Sequence, residues 1–217
     1  MGSEMCIRDR SSTYRMASTA SSKATLVDPE NRYLSHFPRR RLELEPIRDS
    51  LLAVAGQLDH QLGGETKLKK GSKYMSSDVD KTVFDARRRT IYIPINRAAL
   101  NAVFSTFDYV DPATSLEQRP TTTVPHQTLF LMNHPLVMDA GRQLAARVLS
   151  AASNSKQRTE LAYKAAFARS PTQEETHIAA QFIAAKISEV DGPGAEMAAW
   201  TSYCRSLLLT NEFLYVE

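Results

Sequence analysis

The chain has 217 residues, 42% of them hydrophobic and 24% charged, with a formal net charge of +3. That length suits one large domain or two small ones and buries enough surface to fold without a metal or a disulfide. With 8 Gly and 10 Pro, collagen-like and Pro/Gly-rich disordered chains are excluded, no apolar run approaches the ~20 residues of a bilayer span, and so small a positive excess does not call for nucleic acid.

The first ten residues, MGSEMCIRDR, carry Glu4, Arg8, Asp9 and Arg10 and no apolar stretch, so they do not form a secretory leader. They resemble translated adaptor sequence, and residues 1–10 are set aside as adaptor-like. On that reading the remainder is a C-terminal fragment of a longer protein. Residues 11–24 are rich in Ser, Thr and Ala and are expected to form a linker or loop. Residues 25–217 are expected to form one irregular helical domain. Asp28-Pro29-Glu30-Asn31 predicts a turn. Leu42, Ile47, Leu51, Leu52, Ala55 and Leu58 recur at helical spacing, which predicts a helix with Pro38 near its start and Gly63-Gly64 as its stop. Pro46 is expected to begin the regular part of that helix or to kink it.

Residues 65–81 are polar and basic, with Lys67, Lys69, Lys70 and Lys73, and predict an exposed loop. The alternation in RRTIYIP, residues 88–94, predicts a strand. A short helix is expected from Arg97, with Leu100, Val103, Phe104 and Phe107 on one face. Beyond Asp108-Tyr109-Val110-Asp111-Pro112, an irregular segment leads to a helix opened by Pro125, which Pro135 breaks or restarts at Leu136. Helices are then expected over 141–149 and 156–168. Thr172 and Glu175 have the spacing of a capping box for another, carrying Ile178, Phe182, Ile183 and Ile187 to a stop at Asp191-Gly192-Pro193-Gly194. The last helix should bury a stripe of Met197, Trp200, Tyr203, Cys204, Leu207 and Leu208. The expected fold is therefore mainly α, with at most a short strand pair near Thr90–Pro94. Trp200, Leu207, Phe182, Leu131 and Phe104 are expected in its core.

Recognisable catalytic patterns are missing from this sequence. It has no GxSxG elbow, no phosphate-cradling glycine loop and no HExxH. Cys6 and Cys204 lack zinc or haem-attachment spacing, and Cys204 reads as a small buried hydrophobe. His126 and His134 stand eight apart and read as helix-end polar residues rather than metal ligands. The runs Arg39–Arg41 and Arg87–Arg89 read as solvated flanks balanced by Glu43, Glu45 and Asp85. One polar concentration is larger than turn-making requires: Asp108, Asp111, Arg119, Thr122 and Asn133, with three threonines between two prolines. The guanidinium of Arg119 is expected to pair with Asp108 or Asp111, and the threonines to cap the helix at Pro125. This knot either staples the domain or lines a binding site.

The run RRTIYIPINRAALNAVFSTFDYVDPATSLEQRPTTTVPHQTLFLMNHPLV resembles the central signature of a planctomycete-specific domain of unknown function, domain of unknown function 1553. DPENRYLSHFPRRRLELEPIRDSLLAVAGQLD, AFARSPTQEE and AWTSYCRSLLLTNEFLYVE agree with it in the same order. The resemblance covers Tyr14 to Glu217. It implies the C-terminal part of a large secreted or periplasmic bacterial protein, many of whose relatives carry cytochrome-c-like domains. Haem would then belong to upstream domains, with no cofactor held in this stretch. The partners implied are those upstream domains and an extracellular glycan or protein. The family brings no catalytic residues. Two functions follow as expectations: a structural or interaction module, or part of an extracellular enzyme acting on polysaccharide.

Overall fold

The computed structural model describes residues 7, 10–63, 86–93, 95, 102–111, 114–117, 119–190 and 192–216. The expected loop over 65–81, the start of the helix at Arg97, and Cys6 lie outside them. Nine α-helices, one 3₁₀ helix and one two-stranded sheet make up the regular structure of the described residues, so the protein is mainly α with a short strand pair. They divide into two compact units, Met1–Leu42 with Leu214–Glu217, and Glu43–Phe213.

The first unit holds α1 (Ser22–Val27) and the strand pair. Ser21 caps α1 by accepting from the Ala24 N–H, a cap inside the expected linker. Asp28 accepts from the N–H groups of Arg32 and Tyr33 at 2.9 and 2.8 Å, which builds the predicted turn. β1 (Arg40–Arg41) pairs antiparallel with β2 (Tyr215–Val216), Arg40 opposite Val216 and Arg41 opposite Tyr215. The strand pair therefore joins Arg40–Arg41 to the last described residues and not the neighbourhood of Thr90–Pro94, where the alternation placed it. At that position the backbone turns into a 3₁₀ helix, Thr90–Tyr92. The reason lies 41 residues upstream. Asp49 takes both the N–H and the hydroxyl of Thr90, at 2.8 and 2.6 Å, which leaves the segment wound on itself.

In the second unit, α2 (Leu44–Val54) begins two residues before Pro46, so the proline sits in the first turn, where its missing N–H costs nothing. It ends at Gly56 and not at the expected Gly63. Gly56 has φ of +70°, and the N–H groups of Gly56 and Gln57 turn back to the carbonyls of Ala53 and Leu52, a full Schellman ending. A side chain on Gly56 would also meet Arg147, 3.3 Å away. α3 (Ala102–Thr106) buries Phe104, and Phe107 follows it into the interior.

The helical half follows its sequence pattern closely. α4 (Pro125–Asn133) and α5 (Pro135–Ala151) meet at His134. That residue ends α4 by donating its N–H to the Phe130 carbonyl and opens α5 by accepting from the Leu136 N–H on Nδ1. α6 (Ser155–Phe167), α7 (Gln173–Glu189) and α8 (Ala195–Leu208) complete the bundle, and α9 (Asn211–Leu214) leads into β2. Val137, Ala140, Gly141, Leu144, Ala145 and Val148 form the buried stripe of α5 at helical spacing. It faces α8, whose Ala199, Trp200, Tyr203, Cys204, Leu207 and Leu208 are buried. The two backbones approach closely at Gly141, where a Cβ would stand 3.0 Å from that of Arg205. Trp200, Leu207, Leu131 and Phe104 are buried as expected, while Phe182 is half-buried with its ring 5.9 Å from that of Tyr203. α7 departs from its expected stripe. Only Ala179 and Ile183 are buried, and Ile178 and Ile187 face outward on its flanks, as does Met197 on α8.

Candidate functional site

The polar knot read from the sequence does not gather around Arg119. Asp108, held at φ +59°, accepts from the N–H and hydroxyl of Thr122 at 2.8 and 2.7 Å. Gln127 joins it, donating to Asp108 at 3.3 Å and to the Thr106 carbonyl at 3.0 Å. Asn133 turns back on its own helix, donating to the Leu129 carbonyl at 2.9 Å. Asp111 lies exposed, its carbonyl accepting from the Thr114 N–H.

Arg119 pairs with neither aspartate. It reaches back to the start of α2, donating to Glu43 at 2.7 Å and to both oxygens of Glu45 at 3.0 and 2.8 Å. Its guanidinium also lies over the Tyr109 ring, 4.8 Å from the centroid. The bidentate geometry is the one a planar guanidinium favours, and two carboxylates at the N-cap and in the first turn of α2 outcompete the single aspartates nearer in sequence. Hydrogen bonding to Glu45 raises the guanidinium pKa against a smaller desolvation penalty. The threonines do not cap α4 either: its N-cap is Val124, and Gln127 closes the first turn by accepting the Val124 N–H.

A second knot lies at the same end of α2. Arg48 has a side chain only 1% exposed. It donates to the carbonyls of Arg88 (2.9 Å) and Ala86, to the Thr90 hydroxyl at 3.2 Å, and approaches Asp49 at 3.5 Å. Arg48 thus pins the 86–90 segment onto α2, and with Arg119 it frames an open groove of about 640 Å³. Ile91, Ile93, Leu58 and Tyr109 supply apolar walls, and Glu43, Asp49 and Arg89 supply polar ones. Sequence reasoning missed Glu43, Glu45, Arg48 and Asp49 as a unit. Their signal was the pattern ExExxRD at a helix start, which reads equally well as ordinary first-turn acids.

The third charged cluster centres on Arg169. It donates to both oxygens of Glu175 (2.9 and 2.7 Å) and of Glu212 (2.6 and 2.8 Å), and lies over the Tyr163 and Phe167 rings. The capping box predicted at Thr172 and Glu175 is present, with bonds of 3.1 and 2.7 Å. Hydrogen bonding to Arg169, helped by the Thr172 N–H, holds Glu175 at a pKa of about 2. Beneath it, burial raises the pKa of Tyr203 and Tyr163 and pushes the Cys204 thiol up to about 12, so this cysteine is an inert core residue.

No group of three or more potential metal ligands occurs among the described residues, and none of their helices is long and apolar enough to cross a membrane. The family model described as PSD1, Protein of unknown function (DUF1553), matches residues 9–183. The chain belongs to this family. No curated protein and no solved structure matches the chain. The matched span of the DUF1553 domain takes in α2, the groove, the Arg119 cluster and the capping box of α7, while Glu212 lies beyond it.

Proposed function

We propose that this chain is a non-catalytic interaction module of a secreted, multidomain bacterial protein. The observation that carries the reading is how its paired carboxylates are held. Glu43 with Glu45, and Glu175 with Glu212, are each bridged by one arginine. A glycosidase-type acid needs one carboxyl whose pKa is raised toward neutrality. Glu175 is pushed the opposite way, to about 2. Arginine-bridged pairs fix surfaces in place, which is what a docking module requires. Secretion and the multidomain setting rest on the family resemblance.

The competing reading, part of an extracellular enzyme acting on polysaccharide, draws on the groove beside α2. Reducing-end release from cellulose, xylan, laminarin and pectin separates the two. The interaction reading expects no release above the buffer blank. Turnover that is lost in Glu43→Gln overturns it. Antibody detection in the secreted and periplasmic fractions of the source cell tests the location, and an exclusively cytoplasmic signal overturns that part.

A further inference from the structure

We propose that the groove beside α2 binds a neutral, hydroxyl-rich ligand, a glycan chain, through Arg89, Asp49, Glu43 and Ile91. The proposal rests on reading the chain as an interaction module and names the ligand class of that module. Charge comes first: of the carboxylates that line the groove, Glu43 and Glu45 are paired with Arg119, and Asp49 lies 3.5 Å from Arg48, while Arg89 is the one cation among the described lining residues. Carboxylates already neutralised in this way draw neither a cation nor an anion over distance.

Hydrogen-bonding capacity is also left over. Every contact Asp49 makes among the described residues uses Oδ1, and the single contact of Glu43 uses Oε2. One oxygen of each carboxylate therefore remains to accept. Arg89 is exposed and makes no ion pair or side-chain hydrogen bond among the described residues, so its donors remain to give. Adjacent hydroxyls on a sugar both donate and accept, and so satisfy carboxylate and guanidinium together without bringing charge. The wall adds apolar surface. Ile91, 75% exposed, offers an aliphatic face for the C–H side of a pyranose ring, with the largely buried Ile93 also in the lining. An extended peptide is the less fitting occupant, because Thr90–Tyr92 is a 3₁₀ turn and offers no strand edge to extend.

Isothermal titration of the purified chain tests this, using cellohexaose, xylohexaose and laminarihexaose against a heparin hexasaccharide and an uncharged Ser/Ile hexapeptide. The expected result is binding of at least one neutral hexasaccharide with Kd of ~1 mM or tighter, a range ordinary for a shallow site. Arg89→Ala and Ile91→Asp should each weaken it at least ~10-fold, which is about 1.4 kcal/mol. Both positions are exposed, so their melting temperatures should match the parent, and Arg142→Ala on α5 should bind normally. The proposal is overturned if no neutral hexasaccharide binds, if heparin or the peptide binds more tightly, or if both groove variants bind like the parent. Chromatography of the titrated sugar keeps the two readings apart. Sugar recovered intact supports both. Sugar recovered cleaved upholds the ligand class and overturns the interaction module. Absence of sugar binding overturns the ligand class alone.

Discussion

Arg119 and Arg169 each lie between two glutamates and against an aromatic ring, yet they tie together different lengths of chain. Arg169 takes Glu175, six residues on in the same turn-and-cap motif, and then Glu212 from the start of α9. Arg119 reaches back 76 residues to Glu43 and 74 to Glu45. Half of the first cluster needs only local geometry, whereas the second exists only where α2 and the 119–124 segment meet. Loop closure makes the second contact entropically dearer to form, and its hydrogen bonds must offset that. The Arg169 cluster behaves as a staple of the helical half, and the Arg119 cluster as the frame of a groove.

Burial sets the scale on which that comparison can be broken. Arg48 marks its upper end, fully enclosed and bonded to two carbonyls and a hydroxyl. Arg48→Ala should destabilise by about 3–5 kcal/mol, because it strands buried acceptors and the Asp49 charge. Urea unfolding followed by circular dichroism measures it. A loss below about 1 kcal/mol would mean that water reaches the 86–90 segment and that the groove wall is not pinned.

Arg169→Ala should come next, with a loss of about 2–3 kcal/mol from four charge-assisted bonds that remain 37% open to solvent. Arg119→Ala should cost less, about 1–2 kcal/mol, since Glu43 is 56% exposed and rehydrates once released. The order of the two is the informative quantity. If Arg119→Ala is the more damaging, the groove frame and not the helical staple anchors the second unit. Double-mutant cycles of Arg119 with Glu45 and of Arg169 with Glu175 isolate each pair from side-chain packing on the tyrosines.

What the sequence disclosed follows the same division between local and distant. The stripes of α5 and α8, the break at His134-Pro135 and the box at Thr172–Glu175 all depend on neighbours within one or two turns, and all are legible as periodicity and capping. The 88–94 segment misled because alternating Ile91 and Ile93 look like a half-buried strand. A carboxylate 41 residues upstream, Asp49, had claimed the amide and hydroxyl of Thr90. Arg119 misled for the same reason. Nearness in the chain favoured Asp108 and Asp111, but Thr122 and Gln127 lie close enough to occupy Asp108, while α2 brings two carboxylates to the guanidinium at once. Ile178 and Ile187 show a further limit: a helix at the edge of a bundle buries a narrower stripe than its apolar residues advertise.

The smallest effect separates charge from hydrogen bonding inside the Arg169 cluster. Glu175 has its pKa lowered from 4.5 to about 2, chiefly by its bonds with Arg169 and then by the Thr172 N–H. With the folded value below the unfolded one, its contribution is fully present above pH 4.5 and is lost as pH falls from there toward 2, where the unfolded chain binds the extra proton. Glu175→Gln keeps an oxygen to accept from Thr172 and from one Arg169 donor, and Glu212 still neutralises the guanidinium. Its cost at pH 7 should therefore be only about 1 kcal/mol, and the acid limb between pH 4.5 and 2 should become shallower in thermal melts taken across that window. A variant that loses as much as Arg169→Ala at pH 7 yet keeps the full acid limb would place the titrating carboxylate elsewhere and reduce Glu175 to a cap. The Arg119 cluster offers the matching control. Glu43→Gln, at an exposed position with one side-chain bond, should cost no more than Glu175→Gln at pH 7, so a larger loss there would erase the distinction between staple and frame.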